Sequence, residues 1–286
     1  MDAPTVIESA LEAALKGLRA PSSPPLLNAA VRHAVFPGGA RIRPQLGLAV
    51  ARACGRFDSV LAGAAAASIE LLHCASLVHD DLPCFDDADL RRSQPSVHRA
   101  YGEPLAVLAG DALIVGAFGA VLAVGERPGV LSILSILHDA AGAPRGLVAG
   151  QAWESEPTPP LREYHRAKTG ALFRAATECG ALAAGRAPEA WRGLGDKIGE
   201  AYQVADDLRD LAPDLHHGKT SKRDALLDRP SAVGALGVDG ATARLRELLS
   251  EAMDSIPPCP GRSQLQVLVR RQAKRLELAT VAPSAA

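Results

Sequence analysis

Three features of this 286-residue chain predict an all-α fold. Alanine and leucine, both strong helix formers, dominate the composition, whereas aromatic residues make up only 3%. Alternating β-branched runs of the kind that mark a half-buried strand are hard to find. Proline and glycine gather in short clusters that separate long helical stretches. The length suits one large domain or two ordinary ones. A hydrophobic content of 48% with 22% charged residues is ample for a packed core.

The opening "MDAPTVIESALEAALKGL" reads as an amphipathic helix over 4–18, and it lacks the basic-then-apolar order of a secretory signal. After "APSSPP" (20–25) a helix is predicted over 25–34, and after "FPGGA" (36–40) another over 41–54. A long helix over 58–81 must end or distort at Pro83. Helices over 95–101 and 104–125 follow. The second of these contains "LAVLAGDALIVGAFGAVLAVG" (105–125), whose single charge is Asp111 and whose length matches a bilayer crossing of about 20 residues. With no flanking positive charge and no aromatic belt, it is predicted to be a buried central helix, apolar all round, and not a membrane span. The remaining helices are predicted over 128–151, 161–185, 188–212, 220–227, 239–255 and 261–278, with "SEPTPP" (155–160) and "IPPCPG" (256–261) as punctuation. No repeat period and no long linker is visible, so 1–286 is expected to form one domain, its tail frayed from about 280 to 286.

The formal net charge of −1 provides no overall basic field for nucleic acid or an acidic membrane. Any strong electrostatics must be local. The five cysteines are scattered, with no CxxC pair, which suits buried thiols in a reducing cytoplasm better than disulfides or zinc.

Local charge is indeed crowded. "HDDLPCFDDADLRR" (79–92) places Asp80 and Asp81 in the last turn of a predicted helix, where the helix dipole opposes carboxylates. Asp86, Asp87 and Asp89 come next, and Arg91 and Arg92 close the segment. A second cluster, "YQVADDLRD", sets Asp206, Asp207 and Asp210 in a helical pattern, with Asp206 and Asp210 on one face about 6 Å apart along the axis. Each cluster alone reads as a solvated acidic surface, but both are embedded in apolar sequence. Inward-facing carboxylates with cations nearby suggest a polyphosphate clamped through Mg²⁺, which prefers a few carboxylates completed by water and phosphate. The cations are Arg41 and Arg43 in "PGGARIRP", where Gly39 and its neighbour allow close approach to an anion, then Arg91, Arg92, Lys168 beside Thr169, and Lys219. "GKTS" at 218–221 lacks the first glycine and the strand of a Walker loop.

The order "GGARIRP", "LLHCASLVHDDLPCFDDADLRR", "GDALIVGAF", "GLVAGQAWE", "KTGALF", "YQVADDLRD", "GKTSKRD" resembles the trans-isoprenyl diphosphate synthases, or polyprenyl synthetases, over about residues 28–235. It is most similar to the bacterial geranylgeranyl diphosphate synthase branch, in which four residues separate the aspartate pairs of the first motif. The resemblance implies an all-α bundle around a central cavity, a homodimer, and three Mg²⁺ ions per active site. It implies that Asp80 and Asp86 ligate metal with Asp81 in support, and that Asp206 holds the remaining metal with Asp207 and Asp210 near it. Arg91, Lys168, Thr169, Gln203 and Lys219 match contacts to the allylic diphosphate. Arg43, His73 and Arg92 match contacts to isopentenyl diphosphate, with Gly39 and Arg41 in the same loop. The implied activity is head-to-tail condensation of these two substrates, with no nucleic-acid partner. Leu72, Ala75 and Ser76 fall where the family sets product length, and their small neighbours at 75 and 76 imply room for a twenty-carbon product.

Three positions depart from the family pattern. Ala40 replaces a lysine, Ser93 and Gln94 replace Gly-Lys, and Arg229 replaces a late lysine on the allylic side. Farnesyl diphosphate synthesis is the main alternative. A terpene cyclase, a metal phosphohydrolase built on His79-Asp80, and a non-catalytic partner subunit are weaker ones, since a second Asp-Asp-x-x-Asp is intact.

Overall fold

A computed structural model describes residues 2–36, 38–209 and 231–280. Helix α1 (Ala3–Gly17) starts where the Asp2 carboxylate accepts the Thr5 N–H at 3.0 Å, and it buries Ile7, Leu11 and Leu15 at every fourth position. Helices α2 (Pro25–Val35) and α3 (Ile42–Ala53) follow. Helix α4 (Ser59–Asp80) is capped by Asp58, which accepts from the amides of Val60 and Leu61. Its small and aliphatic residues are buried on every side, and α1, α2, α3, α6 (Glu103–Leu122), α7 (Val130–Ala141) and α10 (Ala171–Ala183) all pack against it. It is the axis of the fold.

Beyond α4, strands β1 (Leu90–Arg91) and β2 (Gln94–Pro95) form an antiparallel hairpin that the sequence reading did not foresee. Arg92 and Ser93 make its turn with φ of 53° and 63°, the left-handed geometry that two-residue hairpins require. Then come α5 (Val97–Tyr101), α6 (Glu103–Leu122), α7 (Val130–Ala141) and α8 (Leu147–Ala152). The helix predicted over 128–151 is therefore two, because Gly142, Pro144 and Gly146 interrupt it. The stretch predicted as one helix over 161–185 is also divided, into α9 (Leu161–His165), a π-helical turn (Arg166–Gly170) and α10 (Ala171–Ala183). Helix α11 (Arg192–Arg209), α12 (Ala232–Asp254) and α13 (Arg262–Thr280) complete the described chain. The α12 helix begins earlier than predicted, capped by Ser231 and kinked at Gly237. The helix predicted over 220–227 lies outside the described residues.

The expectation for 105–125 needs correction. Helix α6 is not central: it packs one side on α4 and leaves Val107, Leu108, Val115 and Leu122 exposed, Val115 at 69%. The sequence could not distinguish the two apolar helices, since α4 and α6 are both long and apolar enough to cross a membrane by composition. Among the described residues, three apolar clusters make the core. The largest surrounds α4, a second joins α3, α10 and α11 to α12 and α13, and a third lies between α11 and α12. Helix α10 follows the π turn that bears Lys168 and packs on α4, and α11, which bears Asp206 and Asp207, packs on that turn.

Candidate active site

Helix α4 ends as Pro83 demands, and the chain then folds back on it. The Asp86 N–H donates to the Asp80 carbonyl at 2.8 Å, the Asp87 N–H to the Leu82 carbonyl at 2.9 Å, and the Ala88 N–H to the Asp81 carbonyl at 3.1 Å. These bonds bring Asp86 beside Asp80 although five residues intervene. Asp87 adopts φ 44° in this fold-back.

The crowded carboxylates are separated by giving them different partners. Asp81, only 2% exposed, is gripped by Arg91, whose Nε lies 3.0 Å from both of its oxygens. Burial works against the charge of Arg91, and its bonds to Asp81 raise the guanidinium above its ordinary value. Arg99 of α5 lies 3.3 Å from Asp87 and 2.6 Å from Asp89. Asp80 accepts a hydrogen bond from the amide of Gln151 at 3.0 Å.

The KTG segment forms the facing wall. The π turn widens the helix by one residue where Lys168 and Thr169 leave it, a feature that recurs at functional sites. Burial alone would lower the Lys168 ammonium, but Asp80, Tyr164 and Glu154 outweigh it and hold the group well above its ordinary value. Lys168 donates to Glu154, which also accepts from the Tyr164 hydroxyl at 2.7 Å. Thr169 donates to Gln203, and the Gln203 amide donates to Asp207 at 2.9 Å.

A basic pocket adjoins this wall. Burial drives the His73 imidazole well below its ordinary value, and Arg43, Arg92, Arg91 and Arg41 push it the same way. The Arg43 guanidinium lies 4.7 Å above the Phe173 ring, and among the described residues its buried Nε has no hydrogen-bond partner. Burial holds Arg43 below its ordinary value against the pull of Glu70, Tyr202 and Asp206. A buried, unpartnered guanidinium nitrogen among cations fits an anionic ligand. A Cβ on Gly39 would lie 2.6 Å from Nη2 of Arg92, so the glycine makes room for that cation.

Arg41 is a correction. It was expected to face an anion, but its guanidinium turns inward, 5% exposed, to Glu8 of α1, Glu70 of α4 and the Val35 carbonyl. Its φ of 49° at the start of α3 serves that inward turn. Arg41 therefore anchors the glycine loop and is not available to a diphosphate.

The second aspartate pair divides in the same way. Asp206 is exposed, with 57% of its side chain accessible, and pairs with Arg209 one turn on. Asp207 is buried and accepts the Ala232 N–H at 2.6 Å. The expectation that this cluster faces inward holds for Asp207 and not for Asp206. Asp210, Lys219 and Arg229 lie outside the described residues. Leu72 and Ala75, each 1% exposed, and Ser76 at 6% are packed below Asp80 on α4.

Among the described residues, no three His, Cys, Asp or Glu side chains converge into a ready-made metal cage. The donor set at Asp80 and Asp86 is oxygen only and small in number. That fits Mg²⁺, which keeps waters and takes phosphate oxygens as further ligands, better than zinc. Gln151, Glu154 and Tyr164 were not assigned roles from sequence. "GLVAGQAWE" contained the first two, but only the fold shows which acidic or basic group each one meets.

The comparisons with known proteins agree with this geometry. The family described as Polyprenyl synthetase matches residues 24–263. The geranylgeranyl diphosphate synthase of Cereibacter sphaeroides is 52% identical over 279 residues, covering 96% of this chain and 97% of that protein. The geranylgeranyl diphosphate synthase of Rhodobacter capsulatus is 50% identical, covering 94% of each. Among solved structures, the Legionella pneumophila geranyltransferase superposes with a TM-score of 0.81 at 28% identity, over 97% of this chain and 96% of that one. The Helicobacter pylori geranyltransferase complexed with magnesium and isoprenyl diphosphate has a TM-score of 0.78 at 28% identity, over 96% and 99%. With a match over most of its length and relatives at half identity, this chain belongs to the polyprenyl synthetase family.

Proposed function

We propose that this chain is a magnesium-dependent prenyltransferase that condenses isopentenyl diphosphate head-to-tail (1′-4) with allylic diphosphates, and that its main product is geranylgeranyl diphosphate. The observation that carries the proposal is the juxtaposition at the end of α4. Asp80 and Asp86, brought together by backbone bonds, lie within electrostatic reach of Lys168 and Arg91, beside a separate pocket of His73, Arg43 and Arg92. Two cationic stations, one with carboxylates, suit two diphosphates of which only one must depart.

Asp80, Asp86 and Asp206 would hold magnesium, three ions in our reading, and the bound metal supplies positive charge to the leaving diphosphate. Lys168, Thr169, Gln203 and Arg91 hold the allylic diphosphate as charge develops on its bridging oxygen. Arg43, Arg92 and neutral His73 hold the isopentenyl diphosphate, which orients its double bond toward the allylic carbon. The apolar lining below excludes water from the carbocation. The departed diphosphate accepts the final proton, so no protein base is required. Leu72, Ala75 and Ser76 would floor the cavity.

The exposed apolar stripe of α6 supports a homodimer, because a second copy would bury what the fold leaves open. Five free cysteines, three of them buried, support a cytoplasmic setting. We read the whole chain as one catalytic unit, supported by the family match over 24–263. Farnesyl diphosphate synthesis is the second reading, since the Escherichia coli farnesyl diphosphate synthase is 36% identical over 277 residues.

Incubation with Mg²⁺, labelled isopentenyl diphosphate and each allylic primer tests the proposal, run beside an Ala75→Tyr variant. The wild type should yield mainly the twenty-carbon diphosphate and the variant mainly the fifteen-carbon one. A wild type that stops at fifteen carbons would establish the second reading. Failure to elongate any primer would sink both.

A further inference from the structure

We infer that Gln151 is the positioning residue of the Asp80 carboxylate and so tunes how tightly the site takes up magnesium. The inference rests on the reading that Asp80 is a metal ligand. Gln151 Nε2 donates to Asp80 Oδ1 at 3.0 Å and to the Ser76 carbonyl at 3.2 Å, so one amide spans a full turn at the end of α4. Among the described residues this is the sole hydrogen bond to the Asp80 carboxylate. Asp80 sits in the last helical turn, where the dipole opposes its charge, and a donor there offsets that cost.

The backbone that presents Gln151 is itself fixed. A Cβ on Gly150 would stand 2.3 Å from the Lys168 Cα, so α8 is pressed directly on the π turn. Glu154, half a turn beyond α8, holds Lys168. Helix α8 and the 3-10 turn that follows it (Trp153–Ser155) therefore hold the carboxylate on one side and the ammonium on the other in a single arrangement. Hydrogen bonds to a metal-binding carboxylate restrict its rotation, and removing such a partner typically costs about 10–100-fold in metal affinity or activity. A merely structural Gln151 would instead tie α8 to α4 and show only in stability.

The two roles separate in a binding measurement that needs no turnover. The melting temperature of wild type, Gln151→Met and Asp80→Ala is followed as Mg²⁺ is raised at fixed inorganic pyrophosphate. Gln151→Met keeps the length of the side chain and removes the donor. It should need about 10–100-fold more Mg²⁺ for half of the stabilisation. Its melting temperature without Mg²⁺ should fall only slightly, by the loss of one hydrogen-bonded amide, and its KM for isopentenyl diphosphate should match that of the wild type. Asp80→Ala should lose the Mg²⁺ response. If Asp80→Ala responds like wild type, the metal reading itself fails. If Asp80→Ala loses the response while Gln151→Met keeps the wild-type curve, the inference about Gln151 alone is overturned. Should Gln151→Met not fold, Gln151→Asn, whose amide falls about 1.5 Å short, must show the same displacement. A wild-type curve from that variant is equally fatal.

Discussion

Of the three adjacent aspartate pairs in this chain, Asp80–Asp81 and Asp206–Asp207 lie at helix ends, and each buries its second carboxylate more deeply and presents the first nearer the surface. Neighbouring residues on a helix point about 100° apart, so a doublet near an apolar surface divides between two environments. The two buried members are satisfied differently. Asp81 meets a full positive charge in Arg91, whereas Asp207 accepts from the Ala232 N–H and the Gln203 amide and lies 3.7 Å from the His165 ring. The presented members differ as well. Asp80 is 9% exposed and held by Gln151, whereas 57% of the Asp206 side chain is accessible and its partner Arg209 lies on the same helix. The first motif is thus prepared by tertiary contacts, and the second presents its aspartate from a regular helix. Identical dipeptides thus divide into one carboxylate fixed by the fold and one left nearer the surface.

The widest separation of these roles should come from alanine substitutions at the presented positions. Asp80→Ala and Asp206→Ala are each expected to lower kcat by at least about 100-fold, since each removes charge stabilisation of the departing diphosphate. The melting temperature of Asp206→Ala should stay near that of the wild type, because its side chain is solvated. Near-normal turnover by either variant at ordinary Mg²⁺ would remove that residue from the site.

Asp207→Ala should act on the fold instead. Losing a buried carboxylate that accepts from Ala232 and Gln203 is expected to destabilise by about 2–3 kcal/mol, measured by denaturant unfolding. Unfolding indistinguishable from wild type would show that the two pairs are not built alike.

The pH dependence sharpens the view of the basic pocket. His73 has a folded pKa well below its ordinary value, through burial first and the surrounding arginines second. Below about pH 6.5 the unfolded chain binds a proton there that the folded chain does not, so this site's stability is lost as pH falls. Melting temperatures between pH 7 and pH 5 should therefore decline less steeply in His73→Gln than in wild type. Parallel declines would mean that His73 is solvated.

The smallest effect is expected at the hairpin that carries Arg91 and Arg92. Ser93 holds φ 63°, a conformation that costs a residue with a Cβ about 1 kcal/mol or more. Ser93→Gly should raise the melting temperature by about 2 °C and leave the Mg²⁺ requirement unchanged. A lower melting temperature would show that the serine side chain contributes more than its backbone strain costs.

Much of this arrangement is written in local sequence. Composition and proline spacing specify helices, because helix formation depends on neighbours a few residues apart, and the order of acidic and basic segments specifies the family. The positions of α1 to α4 and the stop at Pro83 follow from such short-range rules. Contacts between distant segments do not. Arg41 and Arg43 are two residues apart at the start of α3, and only the placement of Glu8 and Glu70 turns the first away from the basic pocket. Gln151 carries no local mark of its bond to Asp80, 71 residues away. Helices α4 and α6 look alike as strings of apolar residues, and packing alone decides that one is surrounded and the other keeps an open face. Burial and charge pairing are properties of what the folded chain brings near, so they were decided by tertiary structure and not by the residues taken in order.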